Sequence, residues 1–428
     1  MNHSKNILIL GSGGREHALA WKISQSPSCE KLYIAPGNPG TAMIGENVAL
    51  PLDNHEAIGQ WCGQHAIDLV VVGPEQPLVD GIFDYFKAHH PKVAVIGPSR
   101  EAAQLEGSKA FGKTFMAEFG IPTAGYFEAH AGNVLGAIEF MKSQSPPYVL
   151  KADGLAAGKG VLIIDDLEEA TAELQSMLDG KFGSASTTVV IESFLRGIEF
   201  SVFVLTDGTK YCILPEAKDY KRIFDGDQGK NTGGMGAVSP VSFVDEALMN
   251  KVKERIILPT IQGLSQRKLT YHGFIFLGLI NCGGDPYVIE YNCRLGDPET
   301  EVILARLDED LLELFQQVKD GTLQNNVAKV KPGYAVTRVL ASGGYPDTVQ
   351  KGFEIHLAPM EDHLLFHAGS SMANGKLVNS GGRVFALTSL GDDLPKLLES
   401  NRAKAGEICF EGIQYRKDIG HDLLEFLK

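Results

Sequence analysis

Four short β-branched runs within residues 1–98, NILIL, KLYIA, DLVVVG and VAVIG, each close on glycine or proline and are separated by helical stretches. That alternation is the pattern of βαβ units, which demands a parallel sheet with helices on its faces. Ligands of such sheets sit beyond the C-terminal strand ends. The loops found there are GSGG, PGNPG, GPEQP and GPS. An N-terminal α/β domain over residues 1–102 is therefore expected.

The chain has 428 residues, which at roughly 150 per domain suggests about three domains. Beyond residue 102 the pattern changes to α+β. Ser99 is expected to cap a helix running to Phe119, ended by Gly120 and Pro122. A small lid of strands and helices follows over about 124–192. Residues 197–215 read as a hairpin around Asp207-Gly208. Residues 216–240 read as a long polar loop, and such a loop inside a compact chain is functional or disordered. A helix at about 244–266, a hairpin around CGGDP and a helix from Pro298 to about 320 complete a core of 103–326. Residues 327–428 form a smaller C-terminal domain of several strands and one helix, 392–407.

Net charge is −14, which argues against a nucleic-acid or anionic-membrane surface. Six scattered cysteines without a C-x-x-C pair argue against zinc or a redox dithiol. No apolar run approaches about 18 residues, and the N-terminus reads as a first strand rather than a signal peptide. A cytoplasmic protein is expected.

Several motifs invite a phosphate reading. KADGLAAGKGV, 151–161, lacks the glycine spacing and the Ser/Thr of a Walker loop. It joins two strands instead, so its glycines suit a turn folding over a polyphosphate, with Lys151 and Lys159 as charges. GSGGREH lacks the third glycine of a dinucleotide fingerprint, Glu16 standing there, and the second strand ends in Ala35-Pro36-Gly37 rather than an acid. The turn remains a generic anion site at a helix N-terminus, with Arg15 beside it. DGDQG fails the calcium-loop pattern, because Lys230 and Gly236 occupy the positions that need Gly and Glu. In VIEYNCRLGDPETE, strand alternation puts Glu290 and Asn292 on one face. Two hard oxygen donors there suit Mg²⁺ bridging phosphates, and Arg294 adds a fork for carboxylate or phosphate. Asp219, Lys221, Arg222 and the amides of 231–236 suit a small anionic or zwitterionic substrate. In IESFLRGIEFS, backbone groups at Glu192 to Leu195 could read an adenine edge and Glu199 a ribose.

In this order these pieces resemble an ATP-grasp ligase, and within that superfamily the phosphoribosylamine–glycine ligase family. The resemblance runs through GSGGREHALAWK, APGNPGTA, VVGPEQPLVDG, AAQLEGSKAFGK, KADGLAAGKGV, NTGGMGA, RLGDPETE, SGGYP, FHAG, GGRV and YRKDIG. It implies an N-terminal parallel-sheet domain, an ATP-grasp core with a lid, and a small C-terminal domain. It implies ATP-dependent joining of glycine to 5-phosphoribosylamine through a glycyl phosphate, with ATP and Mg²⁺ or Mn²⁺, in a monomer. By resemblance Lys109 and Lys151 contact phosphates, and the turn bearing Gly154, Ala157, Gly158 and Gly160 covers them. Glu192, Phe194 and Leu195 frame adenine, Glu199 holds ribose, and Glu290 and Asn292 hold the metal. Arg294, Gly296 and Asp297, with Asp219, Asn231, Gly233 and Gly234, position glycine or its acyl phosphate. Gly11, Gly13, Gly14, Arg15 and Glu16, with Gly73, Pro74 and Glu75, bind the ribose phosphate. Lys151, Asp219 and Arg294 are expected to carry catalysis. The chain departs from relatives at Lys218 and Tyr220, where they usually have Gln and His, and at Lys230, where they usually have Pro. Leu279 and Ile280 occupy the strand on which many ATP-grasp enzymes carry a further acid.

Overall fold

The computed structural model describes residues 4–155, 160–183 and 187–427. Strands Lys5–Gly11, Cys29–Pro36, Leu69–Val72 and Ala94–Pro98 pair in parallel, with Lys5–Gly11 between the second and third. Ile7, Leu8, Ile9 and Leu10 are all fully buried, as expected of a sheet covered on both faces. The sheet does not end with this domain. Tyr271 and His272 pair antiparallel with Pro98 and Gly97, extending it to ten strands that include Ile198–Thr206, Tyr271–Cys282 and Asp285–Asn292.

Four antiparallel strands, Tyr126–Ala129, Val189–Glu192, Tyr148–Ala152 and Val161–Ile164, form the lid in that spatial order. Helices Val134–Ser143 and Leu167–Ser176 pack on it around Met141, Leu150, Leu174 and Ile191, a core of its own. The C-terminal sheet is also antiparallel. Its order is Lys218–Asp219, Gly236–Ser239, Tyr334–Ala341, Arg383–Gly391 and His363–His367, with helix Leu394–Ala405 behind.

Three expectations need correction. Residues 216–240 are not a loop. They give two strands to the C-terminal sheet and a second hairpin, Arg222–Phe224 with Gln228–Asn231. The helix expected from Ser99 is broken: Ser99 accepts from the Ala102 amide at 3.3 Å and a short helix, Gln104–Gly107, follows, but the long helix starts at Lys109, where the Ser108 hydroxyl accepts from the Phe111 amide. The helix expected to run unbroken to 320 divides into Glu299–Arg306 and Leu311–Asp320, the second restarted by Asp310 accepting from the Leu312 and Glu313 amides.

Candidate active site

A cavity of about 180 Å³ lies between the lid and the extended sheet. Helix Lys109–Glu118 supplies Lys109 and Lys113, one turn apart and hence on one face. The strand ends supply Lys151, Glu192, Glu290 and Asn292, and the following turn supplies Arg294. Leu105, Met116, Leu155, Val161 and Ile289 give apolar walls. Asp153, in the glycine-rich turn, accepts from the Ala110 amide at 2.7 Å and from the Ser108 hydroxyl. The lid thus caps the helix that carries both lysines.

Four cations, Lys109, Lys113, Lys151 and Arg294, meet four carboxylates, Glu75, Glu106, Glu192 and Glu290, in this lining. Lys151 and Lys113 both reach Glu192 Oε1, at 2.9 and 3.2 Å, and all three side chains are buried. Lys113 also donates to Thr123 Oγ1 at 2.8 Å. Burial pulls the Lys113 ammonium down to about 8, against the pull of Glu192, and burial lowers Lys109 too. Arg294 lies 2.9 Å from Glu106 and 3.4 Å from Glu75.

Glu290 differs from these. Its carboxylate makes no hydrogen bond or ion pair among the described residues. Burial would push its pKa up, yet Lys221, Lys151, Lys109 and Arg294 together hold it below the usual carboxylate value. An ionised carboxylate without a direct partner, beside the Asn292 amide oxygen, is a donor set fit for a hard divalent cation. The strand paired with it carries Leu279 and Ile280, both buried, where a further acid could have stood.

The acceptor end of the cleft is acidic. Lys221 pairs with Glu199 at 2.6 Å, and Asp219 is pushed up by burial despite Lys221. Glu299 folds back over Gly296, and burial together with Asp219 pushes it up to about 8. Glu301 is fully buried with neither carboxyl oxygen hydrogen-bonded, and burial and Asp297 hold it well above the carboxylate range. Arg383, from the C-terminal sheet, pairs with Asp297 at 3.2 Å and donates to the Gly233 and Asp297 carbonyls. Tyr345 accepts from the Gly233 amide at 2.9 Å.

In the N-terminal loop, Glu16 turns inward. It accepts from the Gly13 amide at 2.6 Å and from Arg15 at 2.6 Å. A Cβ on Gly11 or Gly73 would meet this side chain at 2.4 or 2.1 Å, so both positions require glycine for close approach. The carboxylate of Glu16 caps the loop rather than facing a ligand, and Glu75 faces Arg294. The loop amides at Gly13 and Gly14 and the Arg15 guanidinium are the groups here with the right polarity for an anion.

The structure brings Lys109, Lys151, Gly160, Glu192, Glu290, Asn292 and Arg294 to one cavity. It does not bring Gly154, Phe194, Leu195 or Glu199 into that lining: the Phe194 ring packs against Arg196, and Glu199 meets Lys221. Ala157, Gly158 and Lys159 lie outside the described residues. Lys113, Asp153, Glu106, Arg383 and Tyr345 were missed by sequence reasoning. Lys113 had a signal, the one-turn spacing from Lys109. Arg383 and Tyr345 arrive from far along the chain, and only the GGRV and SGGYP segments pointed to them. The departures at Lys218, Tyr220 and Lys230 have partners in the C-terminal region: Lys218 and Tyr220 both reach Asp422, at 3.1 and 2.5 Å, and Lys230 reaches Asp347 at 2.9 Å.

An antiparallel lid tied through Asp153 to a helix bearing two lysines, opposite a Glu-x-Asn strand end on an extended sheet, is the architecture of an ATP-grasp enzyme. The fold is shared with the biotin carboxylase of Campylobacter jejuni, at a TM-score of 0.73 and 16% identity over 99% of this chain and 96% of that one. Closer matches narrow the class. Residues 5–106, 107–300 and 335–422 match the N, ATP-grasp (A) and C domains of phosphoribosylglycinamide synthetase. The chain is 43% identical over 419 residues to the phosphoribosylamine–glycine ligase of Ralstonia nicotianae, covering 97% of this chain and 98% of that one. The crystal structure of phosphoribosylamine–glycine ligase from Thermotoga maritima aligns at a TM-score of 0.83 and 38% identity, over 97% of this chain and all of the other. The chain belongs to the phosphoribosylglycinamide synthetase family, and it is an ATP-dependent ligase.

Proposed function

We propose that the chain joins glycine to 5-phosphoribosylamine, giving glycinamide ribonucleotide, ADP and phosphate, a step of purine synthesis. What supports this is the match to phosphoribosylamine–glycine ligases over 97% of the chain, together with an ionised Glu290 that makes no hydrogen bond or ion pair among the described residues and faces Lys109, Lys151, Lys221 and Arg294. The γ-phosphoryl of ATP passes to the glycine carboxylate. The ribosylamine nitrogen then attacks the glycyl phosphate, phosphate leaves, and the nitrogen gives up a proton. Little covalent work falls to the protein, whose part is alignment and charge neutralisation. Lys109 and Lys151 meet the phosphates, and the lid turn keeps water from the acyl phosphate.

Glu290 and Asn292 hold Mg²⁺ or Mn²⁺, which when bound neutralises charge on the phosphate oxygens. The balance of cations and carboxylates supports this. The described lining has no cationic excess for a polyphosphate, so the nucleotide brings its own cation. Arg294 orients the glycine carboxylate, and the acids at Asp219 and Glu299 suit its ammonium end. Asn231, Gly233, Gly234, Gly296 and Asp297 shape this pocket. Gly11, Gly13, Gly14 and Arg15, near Gly73 and Pro74, take the ribose phosphate. Net charge, free cysteines, and the lack among the described residues of any helix long and apolar enough to cross a membrane support a cytoplasmic place.

The test is ADP release with glycine, ribose 5-phosphate plus ammonia as a source of the amine, ATP and Mg²⁺, each omitted in turn. Release is expected only with all components. Release that does not need glycine would reassign the acid substrate.

A further inference from the structure

Lys113 has no place in the phosphate chemistry described so far. It is almost wholly buried, 2% exposed, in the wall of the nucleotide cleft. Its ammonium is anchored on one side by the Thr123 hydroxyl, which itself donates to the Val288 carbonyl at 2.7 Å. On the other side it meets Glu192 Oε1, the same oxygen that Lys151 meets. Two ammonium groups on one carboxylate oxygen have a definite consequence. They fix the carboxylate plane and leave Oε2 without a protein partner among the described residues. Glu192 ends the strand Val189–Glu192 and lines the cleft together with the apolar side chains of Leu105, Met116, Leu155 and Ile289.

We propose that Lys113 is a positioning residue that sets the base preference of this cleft, by holding Glu192 so that Oε2 accepts a hydrogen bond from an exocyclic amine on the purine. An ionised carboxylate oxygen can only accept. A 6-aminopurine presents a donor at that place, and a 6-oxopurine presents an oxygen that repels it. The same clamp shares Glu192 between two lysines, so Lys151 does not balance that carboxylate alone. Without Lys113, Glu192 has Lys151 as its sole cationic partner within ion-pair distance among the described residues. It then turns, and the selection weakens.

This inference rests on the nucleotide reading above, and its test separates the two. ATP and inosine triphosphate, which differ at the 6-position, are titrated onto wild-type protein, K113M, K113Q and K113R, with folding checked by thermal melting. Wild type is expected to prefer ATP. In K113M and K113Q the preference is expected to shrink about tenfold, the scale for a polar group left mispaired, with KM for ATP rising more than kcat falls. K113R, which keeps a cation at Glu192, is expected to restore most of the preference. K113Q serves if K113M does not fold. An unchanged ATP-to-inosine-triphosphate ratio in a folded K113M or K113Q would overturn the role of Lys113 while leaving the ATP site standing. Failure of wild type to bind ATP would overturn both.

Discussion

At the nucleotide end of the cleft, buried carboxylates are matched by cations: Glu192 by Lys113 and Lys151, Glu75 and Glu106 by Arg294. At the acceptor end, Asp219, Glu299 and Glu301 crowd around Lys221 and Arg383, and all three acids have raised pKa values. One end stabilises most of its buried charge by pairing, although burial still raises Glu106; at the other end burial and neighbouring acids raise all three carboxyl groups. The first suits a ligand whose charge must be met in place, and the second holds carboxyl groups that an arriving ammonium group would help to ionise.

The largest effect should come from breaking the paired end. Lys151→Met is expected to lower kcat by about 10²–10³, the scale for one preorganised electrostatic donor. Steady-state turnover checks it, and a near-wild-type rate would remove Lys151 from the phosphate site. Next comes Glu290→Gln, which takes away the cleft carboxylate that makes no hydrogen bond or ion pair among the described residues. The Mg²⁺ needed for half-maximal activity should rise by about a hundredfold, the upper end for disturbed metal sites. An unmoved Mg²⁺ titration would sink the metal assignment.

The two ends also predict opposite slopes of stability with pH. Glu299 titrates at about 8 when folded against an ordinary 4.5, so between those values the folded state keeps a proton that the unfolded chain has lost. Its contribution to stability is therefore lost as pH rises through that window. Lys113 titrates at about 8 against 10.5, so above pH 8 the unfolded chain holds the extra proton and stability recovers as pH rises. Melting curves from pH 5 to 10 should show Glu299→Gln flattening the fall and Lys113→Met flattening the recovery. Equal slopes in all variants would erase the contrast. The smallest effect is expected of Lys230→Ala. Its ion pair with Asp347 is mostly exposed, at 69% and 62%, so stability should change by less than about 1 kcal/mol.

The paired end was largely legible in the sequence, because its residues sit in short local motifs: the Lys109 helix, KADG, IES and EYN. The acceptor end was less so. Asp219 and the amides near Gly233 stood out, but the polar stretch containing them reads as a loop because its strand partners, Tyr334–Ala341, lie about a hundred residues away. Local pattern does not encode such pairing. The helix start was misplaced for a related reason. Ser99 does accept from an N–H three residues on, but the long helix starts after Ser108, which Asp153 reaches, with Ala110, from another part of the chain.

That contact has a mechanical side. Asp153 belongs to the lid turn, but the backbone N–H group it satisfies belongs to the helix under the lid. Swinging the turn away would strip the helix of a cap, a loss of about 1 kcal/mol. Asp153 is therefore a tie between the turn and the footing of Lys109 and Lys113, and any displacement of it would be felt by both lysines.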